Sequence, residues 1–188
     1  MKKTLALTLA LACSMALMAK GREVVISFDY TRQNGPGSNQ YAVWIEDSKG
    51  EVVKTLFVTS FTSKGRSRGG EPARRGYTFR PSCVPTWVQH AKAEKMSDTE
   101  VDAVTGATPK ADGTQTFAWD FTNQQGMKVA SGTYKVFVEA TLINNSIITY
   151  QGEVKTSAKA GKIALTSTLT EPNDTHAGMI RNVKAEVK

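Results

Sequence analysis

The chain has 188 residues, a formal net charge of +7, and only two histidines and two cysteines. Neither histidine has Asp, Glu or Cys at metal-ligand spacing, which argues against a zinc or haem site. Two of the positive charges belong to an N-terminal leader; without them about +5 remains, ordinary for a soluble domain, so nucleic acid is not an expected partner.

In chain order, Lys2 and Lys3 precede an uncharged apolar stretch, residues 5–19, closed by Lys20, Arg22 and Glu23. This reads as a secretory signal peptide over residues 1–19, cleaved after Ala16 or Ala19. It is too short for a retained span, which needs about 18–20 apolar residues, so no integral membrane protein is expected. Cys13 offers a lipoprotein alternative but lacks the usual leucine three places upstream. The expected location is the periplasm or another extracytoplasmic compartment. The mature chain, residues 20–188, suits a single domain with its own core. It keeps Cys83 alone, so no intrachain disulfide can form.

Alternating or β-branched runs predict strands over residues 23–29, 40–47 and 51–59, the last two joined as a hairpin by Asp47-Ser48-Lys49-Gly50. Residues 60–112 break this rhythm with glycines, prolines and a basic cluster of Lys64, Arg66, Arg68, Arg74, Arg75 and Arg80. Within this insertion a helix is expected over residues 85–96, with Trp87, Val88 and Ala91 on its apolar side. So long an insertion is expected to be functional or disordered. Strand signals return over 116–121, with Phe117, Trp119 and Phe121 on one face, and over 134–140, read as its hairpin partner. Further strands are predicted over 147–156, 162–169 and 179–187. About eight strands with turns at these intervals predict an all-β, immunoglobulin-like sandwich.

The stretch from Trp119-Asp120 through Gly126 to Gly132-Thr133-Tyr134 resembles a hairpin of the immunoglobulin-like module in flagellar hook-capping proteins. Nearly the whole mature chain resembles a family of exported bacterial proteins, domain of unknown function 2271. Tyr41-Ala-Val-Trp44-Ile-Glu-Asp47, Val53-Lys-Thr-Leu56, Pro85-Thr-Trp87, residues 102–108 and the 119–134 stretch carry that resemblance. The family name implies export and supplies no activity.

Cys83 and His90 share one segment, but a Cys-His nucleophile would need both to converge with an orienting third group, and a half-buried lone cysteine is the simpler expectation. One element has a chemical signature: Asp102-Ala103-Val104-Thr105-Gly106-Ala107-Thr108. It resembles the acceptor motif Asp-x-x-(Ser/Thr)-Gly-Ala-Thr, onto which an exported flavin transferase esterifies FMN through its phosphate. The resemblance implies Thr108 as acceptor, Asp102 and Thr105 as the motif's polar positions, and Gly106 and Ala107 as its small ones. A transferase needs such a hydroxyl on an exposed, deformable segment. Departures are the absence of a recognisable FMN-binding domain and Pro109-Lys110 directly after the motif. The alternative for this segment is a plain loop, with Asp102 capping a turn and Gly106 at positive φ.

The basic cluster reads either as a solvated loop or as a cradle for FMN phosphate or for an anionic partner, with Arg74, Arg75 and Arg80 as cations and Tyr77 and Trp87 as rings to lie against an isoalloxazine. Tyr77 and Trp87 have core packing as the alternative. The resulting expectation is an exported electron carrier bearing covalent FMN, with an FMN transferase and a membrane redox component as partners. The rival expectation is a cofactor-free binding or assembly module; a hydrolase using Cys83 or His90 ranks third.

Overall fold

The computed structural model describes residues 21–35, 38–68, 70–171 and 178–188. The leader, Cys13 and His176 lie outside the described residues. Among the described residues no helix is long and apolar enough to cross a membrane.

The architecture is a β-sandwich. One sheet has the order β10-β12-β1-β7, formed by Gly161–Ile163, Ile180–Val187, Val24–Tyr30 and Gly113–Trp119. The facing sheet has the order β11-β9-β8-β2-β3-β6, formed by Thr166–Leu169, Ser146–Lys155, Thr133–Ile143, Gln40–Glu46, Val52–Thr59 and Thr105–Gly106. Period-two patterning explains β1: Val24, Ile26, Phe28 and Tyr30 are buried, while the residues between them are only partly so. They meet Tyr41, Val43 and Ile45 of β2 and Tyr134, Val136, Val138 and Ala140 of β8 between the sheets. Phe28 meets Tyr41 edge-on at 5.3 Å, and Tyr41 stacks on Phe57 at 4.9 Å. Full burial of each large apolar side chain contributes about 1.5–3 kcal/mol.

β2 is buried along its whole length because both its faces are covered. Its odd residues face the sandwich core, while Ala42 and Trp44 join Val58, Val84, Trp87, Ala93, Val104 and Phe137 in a second cluster. Residues 60–68 and 70–104 therefore fold as a layer on the outer face of the six-stranded sheet. The layer consists of α1 (Ser60–Lys64), the β4–β5 hairpin (Arg66–Arg68, Glu71–Arg74), α2 (Gly76–Phe79), α3 (Pro85–His90), a 3-10 turn (Ala93–Lys95) and α4 (Asp98–Val104). Glu139, fully buried on β8, fastens the layer by accepting the Thr86 and Trp87 amide hydrogens at 3.1 and 3.0 Å. Burial pushes its carboxyl upward, against the pull of these hydrogen bonds.

Three expectations need correction. The strands around Trp119 and Tyr134 are not hairpin partners, since β7 pairs with β1 and β8 pairs with β2 and β9. Trp119 Nε1 donates to Thr122 O at 2.8 Å and Phe121 sits at φ 58°, which turns the chain out of one sheet and across to the other. The predicted strand 162–169 is two strands, β10 and β11, one in each sheet. At their crossover Ala164 and Leu165 lie against Gly152, where a Cβ would come within 2.5 Å of Ala164 O. The predicted helix over 85–96 ends at His90. Lys92 is left-handed, and the Arg75 guanidinium takes the Ala93 and Met96 carbonyls that a longer helix would turn inward.

Candidate functional site

Residues 102–108 run from the last turns of α4 into the edge strand β6 and the loop beyond it. α4 starts with a capping box: the Ser97 hydroxyl accepts the Glu100 amide at 3.3 Å while Glu100 accepts the Ser97 amide at 2.7 Å. Val101 and Val104 bury the inner face of α4, and Asp102 and Ala103 stay exposed. Asp102 lies inside the helix and pairs with Lys64 at 2.5 Å, so it caps no turn.

β6 is two residues long and pairs parallel to β3, with Thr105 opposite Val58 and Gly106 opposite Thr59. Thr105 is locked: its hydroxyl donates to Val101 O at 2.6 Å and lies 2.8 Å from Ser63 Oγ. Gly106 is not at positive φ; it is required because a Cβ there would run into the Phe57 ring. The expectation of a freely deformable segment therefore fails for Thr105 and Gly106, which tertiary packing holds in place.

Ala107 is exposed and Thr108 half-buried, both beyond the strand. Among the described residues the Thr108 hydroxyl has no hydrogen-bond partner, in contrast to Thr105. The loop is anchored after it: Arg32 donates to Pro109 O at 3.0 Å, and the Arg32 amide donates to Asp112 at 2.8 Å.

The basic cluster does not converge on one point. Lys64 is paired with Asp102, Arg66 lies over the Phe61 ring at 5.1 Å, and Arg75 is committed to two carbonyls. Arg74 is exposed and Arg80 half-buried. Tyr77 packs at the edge of the second cluster. Trp87 is buried within that cluster and donates from Nε1 to Thr55 at 3.0 Å, so its ring is part of the core.

Cys83 is fully buried, and burial pushes its thiol up to about 11 despite the opposing influence of Arg80. This is the environment of an inert core thiol, and the expectation of a half-buried cysteine is corrected accordingly. His90 instead pairs with a residue that sequence reading did not single out. Its Nδ1 lies 2.6 Å from Oε1 of the buried Glu46, which also accepts the Trp44 indole hydrogen at 2.6 Å. Glu46 is 44 residues away in sequence, so no local spacing marks the pair.

No curated protein and no solved structure matched the chain. A family model described as "Predicted periplasmic protein (DUF2271)" matches residues 22–169, from just before β1 through β11. That description agrees with the export reading of the N-terminus, and the match takes in the six-stranded sheet, the outer layer and every strand of the four-stranded sheet except β12. The chain belongs to the periplasmic DUF2271 family.

Proposed function

We propose that the chain is a periplasmic carrier of covalently bound FMN, attached through its phosphate to Thr108. The observation that carries this reading is the contrast within the acceptor-like segment. Thr105 and Gly106 are fixed by Ser63, Val101 and Phe57, while Thr108 projects beyond the edge strand with its hydroxyl unengaged among the described residues. β6 and its anchor at Arg32 bracket the loop, so a transferase has one hydroxyl to take, between two fixed points.

When bound, FMN supplies one- and two-electron redox chemistry that the side chains of this chain lack. Thr108 Oγ forms the ester, with net loss of water. The exposed Ala107 leaves room on the loop for the phosphate, and the side chains of Arg74 and Arg80 have no carbonyl or carboxylate partner among the described residues. Arg75 and Trp87 have structural duties and drop out of the proposed site. The partners of such a carrier are an exported FMN transferase and a membrane redox component. The rival reading, a cofactor-free binding or assembly module, draws on the polar cleft beside His90.

Co-expression with an exported FMN transferase should add about 438 Da, the mass of FMN less water, to the mature chain. Thr108→Val should abolish the adduct without changing the denaturant midpoint, and peptide mapping should place it on residue 108. An unmodified Thr108 in cells where a known acceptor protein is labelled overturns the carrier reading.

A further inference from the structure

The outer layer leaves part of the six-stranded sheet uncovered, and a second site lies there. Beyond Phe137 and Glu139 the outward residues of β9 and β11 become polar. Cross-strand register aligns Phe137 with Gln151 and Thr166 in one row, and Glu139 with Thr149 and Thr168 in the next. Phe137, Thr149, Gln151 and Thr168 from these rows floor a cleft of about 450 Å³, walled by the β2–β3 turn and by His90 at the end of α3. A volume of this size is typical of small-molecule sites.

His90 is held as a ligand-facing group. Carboxylates only accept hydrogen bonds, so the Nδ1 that lies 2.6 Å from Glu46 carries the hydrogen. Glu46 is 2% exposed, and burying a carboxylate is costly unless its hydrogen bonds are made; Trp44 and His90 make them. The imidazole is thereby fixed, and its Nε2 has no partner among the described residues. In the neutral ring Nε2 offers a lone pair to a ligand hydroxyl. Lys49, on the turn, and Lys135, on β8, also line the cleft and supply positive charge for an anionic group. Thr149 and Gln151 add hydroxyl and amide partners from the floor.

We infer that this cleft binds a small hydroxylated carboxylate of sugar size, its carboxylate between Lys49 and Lys135 and a hydroxyl on His90 Nε2. The site is separate from the Thr108 loop. β6 and β8 are three strands apart, roughly 14 Å across the sheet, with β2 and β3 between them.

The test uses the mature chain expressed without any flavin transferase, so that its outcome is independent of Thr108. Titration calorimetry with glucuronate should show saturable binding with a Kd of about 1 mM or tighter. Glucose, which lacks the charge, and acetate, which lacks the hydroxyls, should each bind at least tenfold more weakly. Lys135→Met, a substitution on the half-buried sheet face, and His90→Gln should each weaken glucuronate binding at least tenfold while circular dichroism shows a folded protein. Absence of saturable glucuronate binding overturns the inference, as does binding that Lys135→Met leaves unchanged.

Discussion

Trp119 and Tyr134 lie with ring centroids 5.2 Å apart, and they reach each other from opposite sheets. The Tyr134 hydroxyl donates to Ala130 O at 2.8 Å, so the aromatic pair also fastens the chain segment that crosses between the sheets. Trp119→Ala should cost about 3–5 kcal/mol, the range for emptying a buried aromatic site. A lowered urea midpoint with an unchanged m-value is the expected result, and an unchanged midpoint would remove Trp119 from the core.

Glu139 couples stability to pH in a direction opposite to that of a surface carboxylate. Its folded pKa is raised, so between the ordinary glutamate value of 4.5 and the raised one the folded chain binds more protons than the unfolded chain. Its contribution to stability is therefore present at low pH and is lost as pH rises through that window. The stability of the wild type relative to Glu139→Gln should fall as pH increases from 4.5. Paired urea titrations across that range measure the difference, and a difference that grows with pH would contradict the assignment.

Cys83 should be unreactive in the folded protein. With its thiol buried and pushed up to about 11, almost no thiolate forms at pH 8. A chromogenic disulfide reagent should label one cysteine of the mature chain promptly in denaturant and only at the rate of unfolding without it. Rapid native labelling would reopen a nucleophilic role.

The capping box of α4 positions the segment that leads to Thr108. Ser97→Ala removes the acceptor for the Glu100 amide and should cost about 1 kcal/mol. Hydrogen exchange should rise at the amides of residues 98–104, while those of β8 stay protected. Equal protection in both proteins would show that packing of Val101 and Val104 alone holds the helix.

The sequence by itself determined the strands with strong period-two or apolar patterning. Seven of the eight predicted strands appear within a few residues of their predicted bounds, and so does the Asp47–Gly50 turn, where Gly50 takes φ 83°. These are local signals: side-chain alternation and turn chemistry act over four to eight residues. The Ser97-x-x-Glu100 pattern of α4 was equally local, though α4 was not predicted, and the acceptor-like residues 102–108 were visible by type and spacing alone.

Tertiary structure alone decided which sheet each strand joins, because inward-facing residues look the same whether their partner lies beside them or across the core. It placed β7 and β8 on opposite layers and split residues 162–169 between them. It also turned the basic insertion into a packed second layer. Arg75 went to two carbonyls, Trp87 to the core and Lys64 to Asp102, fates set by residues 18 to 38 positions distant. The Glu46–His90 pair and the Thr108 hydroxyl, unengaged among the described residues, arise in the same way. Each depends on which groups folding brings within hydrogen-bond reach, and no spacing along the chain encodes that.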